Sequence, residues 1–122
     1  MNSLIKCSNV IVKPTLHKGL GAFAGKKFFE NELIEQGIMR RKNINGHNNP
    51  YIFTWSENRD VWAFASGCAT FYNTCKEPNV HVKRYYDEDV FKIFALHDIN
   101  EGDELTHTYQ SLQWRKCFKN LK

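Results

Sequence analysis

Hydrophobic residues come in short runs separated by polar or glycine-containing turns, and β-branched and aromatic side chains dominate those runs. That pattern predicts strands rather than helices. Val10-Ile11-Val12 reads as a first strand stopping near Pro14, and Ala22-Phe23-Ala24 follows the turn His17-Lys18-Gly19-Leu20-Gly21. Leu33-Ile34-Glu35 reads as another strand, opened by the polar turn Glu30-Asn31-Glu32. The Asn-, Lys- and Gly-rich stretch from Arg40 to Pro50 reads as a loop. Tyr51 to Trp55 and Val61 to Phe64 are the next strands. The clearest hairpin joins Val80 to Tyr85 with Val90 to Leu96 across the turn Tyr86-Asp87-Glu88-Asp89. Glu104-Leu105-Thr106 is a last strand, and Leu112 to Phe118 reads as one or two helical turns with Leu112 and Lys116 on one face. Long helical stretches do not alternate with these strands, which disfavours a parallel βαβ architecture.

Composition narrows the class without changing it. The 122 residues, 42% hydrophobic and 25% charged, suit one globular domain, and the 14% aromatic content supplies bulk for a core at this size. No apolar run approaches the roughly 20 residues that span a bilayer. Met1 to Lys6 lacks the apolar stretch of a secretory signal, so an intracellular protein without membrane contact is expected. The net charge of +4 permits nucleic-acid contact, but the basic residues are scattered. Their one dense cluster, Arg40-Arg41-Lys42, reads as a solvated loop rather than a nucleic-acid footprint. Cys7, Cys68, Cys75 and Cys117 form no C-x-x-C pair, and the interval between Cys68 and Cys75 fits no common zinc spacing. Four reduced thiols are expected, with no disulfide framework and no structural metal.

Four segments could carry chemistry. Lys18-Gly19-Leu20-Gly21-Ala22-Phe23 contains a G-x-G that lets backbone approach a ligand, although a tight turn explains it as well. Phe71-Tyr72-Asn73-Thr74-Cys75-Lys76-Glu77-Pro78-Asn79 places an Asn amide, both donor and acceptor, between hydrophobic strands. An Asx-turn leading into the hairpin is the structural alternative. The segment Ile99 to Tyr109 is an acidic turn feeding a strand that ends in Tyr109, and Trp114 follows as a core anchor or a stacking face.

In this order and at these distances the segments together resemble the SET-domain family, from about Val10 to Trp114. The G-x-G turn with Ala22-Phe23-Ala24 matches the family's opening motif. Asn73 to Asn79 resembles N-H-S-C-x-P-N, and Gly102 to Tyr109 resembles G-E-E-L-T-x-D-Y. The likeness is nearest to the short viral SET proteins, on the placing of Tyr51-Ile52-Phe53 and Trp114. It implies a mainly β, β-clip-like fold of several short sheets with a threaded C-terminal segment and little helix. Residues 1–122 would be a single minimal SET domain, core about 10–114, without pre-SET or post-SET modules.

The resemblance implies S-adenosylmethionine-dependent methylation of a protein lysine without a metal, with a histone tail as the suspected substrate. Gly19, Leu20 and Gly21 would offer backbone to the methionyl part, Asn73 would bind its amino group, and Thr74 would contact the adenine through backbone. Trp114 would pack near the adenine. Tyr109 would be the catalytic group, lining the lysine channel with Tyr51 and supported by Tyr72. Substrate on a histone would imply a nuclear or host-nuclear setting, and any other substrate a cytoplasmic one; no nucleic acid would be required directly, and a homodimer could close the open grooves. Three positions depart from the family pattern: Thr74 replaces His, Thr108 replaces Asp, and Lys76 replaces Cys. They motivate an alternative class, a catalytically degenerate SET fold that binds a peptide or protein. A small basic nucleic-acid binder is a third, motivated by the charge and by Arg40-Arg41-Lys42.

Overall fold

The computed structural model describes residues 3–43, 53–56 and 61–108. Its described residues form nine strands in two sheets: β1 (Val10–Pro14), β2 (Leu20–Ala24), β3 (Leu33–Lys42), β4 (Phe53–Thr54), β5 (Trp62–Ala65), β6 (Asn73–Thr74), β7 (Val80–Tyr85), β8 (Val90–Ala95) and β9 (Glu104–His107). One sheet has the order β1-β2-β9-β6 and the other β4-β5-β3-β8-β7. Among the described residues, helix is confined to two 3-10 turns, Ala69–Phe71 and Tyr86–Glu88. The mainly β expectation therefore holds.

The hairpin forms where its pattern places it. β7 pairs antiparallel with β8 from Val80↔Ala95 to Tyr85↔Val90. Phe91, Ile93 and Ala95 alternate into the core while Val90, Lys92 and Phe94 are only half-buried. Asp89 ends the turn in the left-handed region at φ 54, which a short Asp side chain tolerates. Its Oδ1 accepts from Trp55 Nε1 at 2.9 Å and from Arg41 Nε at 2.9 Å, so the hairpin turn anchors the neighbouring strands of the same sheet.

β3 is longer than its apolar pattern suggests. Arg40, Arg41 and Lys42 remain in the strand opposite Phe64, Ala63 and Trp62. The loop therefore starts later than composition implies, because a partner strand satisfies the backbone of residues whose side chains stay exposed. A bulge between Leu33 and Glu35 breaks the alternation, and Ile34 and Glu35 are both buried. The predicted strand at Tyr51 to Trp55 appears as Phe53–Thr54; Tyr51 and Ile52, and the helical turns expected at Leu112 to Phe118, lie outside the described residues.

Candidate functional site

The two short strands at the Asn and acidic motifs decide the site. β6 runs parallel to β9, with Asn73↔Thr106 and Thr74↔His107, and β9 in turn pairs with β2 through Ala22↔Leu105 and Phe23↔Glu104. Three segments far apart in sequence thus lie side by side. Asn79 fixes this arrangement: its Nδ2 donates to the Glu104 carbonyl at 2.8 Å, and its Oδ1 accepts from the Thr106 N–H at 2.8 Å. Asn79, which closes the motif, is therefore a brace that holds β9 in register.

Asn73 sits where the three segments meet. Its Nδ2 donates to the Leu20 carbonyl at 3.2 Å and to Glu104 Oε2 at 2.9 Å. Glu104 Oε1 in turn pairs with Lys18 Nζ at 2.7 Å. Gly19 enters the turn at φ +74, a conformation that favours glycine. Gly21 is required for space: a Cβ there would stand 2.7 Å from Thr15 Cγ2, 3.0 Å from Glu104 Oε2 and 3.1 Å from Asn73 Nδ2. The arrangement presents a backbone carbonyl, a carboxylate and an ammonium beside an open turn. That donor and acceptor set suits both charged ends of an amino-acid group.

On the core side of β9 lies a narrow, largely apolar cavity of about 30 Å³, room for one or two waters. Phe53, Trp55, Tyr72, Phe91, Arg84 and His107 are among its lining. Tyr72 is buried and donates to Glu35 Oε1 at 2.8 Å. Burial, then the Glu35 carboxylate, pushes its phenol well above the ordinary tyrosine range. His107 stands edge-on to Tyr72 with ring centroids 6.4 Å apart. Its pKa is lowered to about 4, by burial first and then by the Arg84 charge, so the imidazole is neutral at physiological pH.

Gly19, Leu20, Gly21, Asn73 and Thr74 are brought together, and Tyr72 is placed behind them in the core. Tyr109, Trp114 and Tyr51 lie outside the described residues. Sequence reading assigned no role to Lys18, Glu104, Arg84 or His107. Glu104 was legible as part of the acidic motif, but its partners depend on the β2–β9 and β6–β9 pairings. Thr108, which stands for the family's Asp, donates through Oγ1 to the Cys75 carbonyl at 2.7 Å and so ties the two motif segments together.

Cys7, Cys68 and Cys75 are free thiols. Cys7 and Cys68 converge on the buried Glu35 carboxylate. The Cys68 thiol is pushed up to about 12, by burial first and then by the neighbouring Glu35 and Cys7. Burial likewise raises the Glu35 carboxyl, against the opposing hydrogen bonds from Cys68 and Tyr72.

Comparison with known proteins agrees with this fold. The family model described as SET domain matches residues 19–110. The structure of a Plasmodium falciparum protein proposed to be a histone methyltransferase superposes with a TM-score of 0.68 at 20% identity, covering 83% of this chain and 96% of that one. Chaetomium thermophilum Polycomb Repressive Complex 2 bound to GSK126 gives 0.71 at 20% identity, over 95% of this chain but 17% of that chain. The same complex with H3K27me3 and H3K27M gives 0.68 at 20% identity, over 85% and 15%. At such identities the likeness establishes the fold. No curated protein matches the chain.

Proposed function

We propose that this chain, which belongs to the SET-domain family, is an S-adenosylmethionine-dependent protein lysine N-methyltransferase acting on a histone tail or another basic segment. The observation that carries the reading is Asn73, whose amide joins the Leu20 carbonyl to Glu104 where the three motif segments meet. When bound, the cofactor supplies a methyl group already activated on a sulfonium, so no metal is needed for the transfer. The chain's task is then to bind, align and desolvate. The Leu20 carbonyl, Asn73 and Glu104 would hold the ammonium end of the methionyl group, and Lys18 its carboxylate. Gly19 and Gly21 would leave room for its approach, Thr74 would meet the adenine through backbone, and Trp114 would pack against it.

The target lysine must be neutral to react, whereas its unperturbed pKa is about 10.4. An apolar channel lowers that value by penalising the charged form. We place the channel beside the cavity that Tyr72, Phe53 and Trp55 line, with Tyr51 and Tyr109 completing it and the Tyr109 hydroxyl positioning the amine. Nuclear action, kinship with the short viral SET proteins, and self-association to close the grooves belong to the same proposal. No helix among the described residues is long and apolar enough to cross a membrane.

A calorimetric titration of S-adenosylmethionine into the wild type and Asn73→Ala tests the reading. Micromolar-range binding to the wild type, lost in the variant, is expected. Methyl transfer to histone peptides should then vanish in Tyr109→Phe. A wild type that binds no cofactor would sink the enzyme reading in favour of a SET fold that binds protein without catalysis. Thr74 and Thr108, two of the three positions that depart from the pattern, favour that second reading.

A further inference from the structure

The strongest unexplained feature lies apart from the cofactor strands. Backbone bonds between Lys6 and Gln36 (Lys6 N to Gln36 O 2.8 Å, Gln36 N to Lys6 O 2.9 Å) lay the N-terminal segment along β3, which brings Cys7 next to Glu35. Cys68, just before the 3-10 turn, meets the same carboxylate, and its N–H donates to Glu35 Oε2 at 2.8 Å. Cys7 Sγ, Cys68 Sγ and a Glu35 carboxylate oxygen all lie within 4.8 Å of one another.

Glu35 is 0% exposed, yet it takes part in none of the ion pairs among the described residues. Its hydrogen bonds from the Cys68 N–H and the Tyr72 hydroxyl come from neutral donors. A fully buried carboxylate without a countercharge is costly, and a cation is what would offset it. Access exists, because Cys7 also lines an open cleft with Lys6, Asn9 and Leu33.

We propose that Cys7, Glu35 and Cys68 form a binding site for one divalent, borderline-soft cation, Zn²⁺ by the chemistry of its ligands. Two sulfurs and one carboxylate oxygen suit Zn²⁺, whereas Ca²⁺ and Mg²⁺ select oxygen ligands throughout. On binding, both thiol protons pass to solvent, and two thiolates, one carboxylate and Zn²⁺ carry the same single negative charge as the empty site with Glu35 ionised, so the ion stabilises the carboxylate by direct coordination rather than by neutralising the site. The fourth tetrahedral position is left for water or another donor. The ion would fasten the N-terminal segment to β3 and to the turn that feeds Tyr72 and Asn73. Its role is to hold these segments together, and its test needs no readout of methyl transfer.

Co²⁺ titration of the reduced, chelator-treated chain tests the site. A sulfur-to-cobalt charge-transfer band should saturate at one Co²⁺ per chain and be displaced by Zn²⁺. Cys7→Ala and Cys68→Ala should each weaken binding by about tenfold or more, while Cys75→Ser should leave it unchanged. Zn²⁺ should also protect Cys7 and Cys68, not Cys75, from alkylation read by mass spectrometry. Should Cys68→Ala fail to fold by circular dichroism, Cys7→Ala and the protection pattern decide. Absence of the band, its survival in Cys7→Ala, or a Cys7–Cys68 disulfide that forms in air despite Zn²⁺ would overturn the site.

Discussion

His107 makes the stability of this domain sensitive to mild acid, and the size of the effect can be worked out. The residue is 8% exposed, and its pKa falls to about 4 in the fold against an unfolded value near 6.5. Between those values the unfolded chain binds the proton more readily, so stability rises with pH. The stabilising term is fully present above the unfolded pKa and is lost as pH falls toward 4. From pH 7 to pH 5 the loss from this one group is about 2 kcal/mol, approaching roughly 3 kcal/mol below pH 4. Glu35 acts in the opposite sense: its raised carboxyl takes up a proton more readily in the fold, which favours folding as pH falls. The measurement must therefore be differential. Urea denaturation of the wild type and His107→Gln at pH 7 and pH 5 gives the unfolding free energy of each. The wild type should lose about 2 kcal/mol more than the variant over that interval. Parallel losses, within about 0.5 kcal/mol, would show that His107 is not held neutral by burial and Arg84, and would refute the argument.

Gly21→Ala should weaken cofactor binding more than it weakens the fold, because the new Cβ crowds Thr15, Glu104 and Asn73 at the mouth of the site. Calorimetry set beside a melting curve separates the two effects. Phe91→Ala, at a 2% exposed side chain lining the cavity, should cost about 3–5 kcal/mol in urea denaturation; a cost below about 1 kcal/mol would mean the cavity wall collapses freely. Glu35→Ala should cost about 2–4 kcal/mol, since the Tyr72 hydroxyl and the Cys68 N–H lose their acceptor. Glu35→Gln keeps one oxygen for the Cys68 N–H and turns its NH₂ toward the Tyr72 hydroxyl, which can accept instead of donate, so it should be milder than Glu35→Ala; equal losses in the two variants would argue against that reversal.

What the sequence revealed and what it hid divide along a physical line. The β7–β8 hairpin was legible because alternation and turn chemistry are local, and the observed pairing from Val80 to Ala95 needed nothing else. β6 was not legible: Asn73 and Thr74 are two polar residues in a turn-rich stretch, and they become a strand only because β9 lies alongside. The extension of β3 through Arg40 to Lys42 has the same cause, an available neighbour in β5. Leu33-Ile34-Glu35 reads as a plain strand, yet the bulge that buries both Ile34 and Glu35 leaves no mark in the alternation.

The same distinction explains the site. Order and spacing of motifs named Gly19, Leu20, Gly21, Asn73 and Thr74, because those residues recur in a recognisable pattern. Lys18 and Glu104 became visible only through the β2–β9–β6 arrangement, which sets the Lys18–Glu104 pair beside the Asn73 amide. That arrangement also gives the departures from the pattern their meaning. Thr108 cannot supply a carboxylate, but its hydroxyl holds the Cys75 carbonyl, and Asn79 holds β9 on both sides of Leu105. The substitution thus removes a charge while keeping the strand that carries Glu104 in place. If the charge matters to the chemistry, Thr108→Asp should raise methyl transfer without changing cofactor affinity; if the tie to Cys75 matters more, the same change should lower the melting temperature and the affinity together.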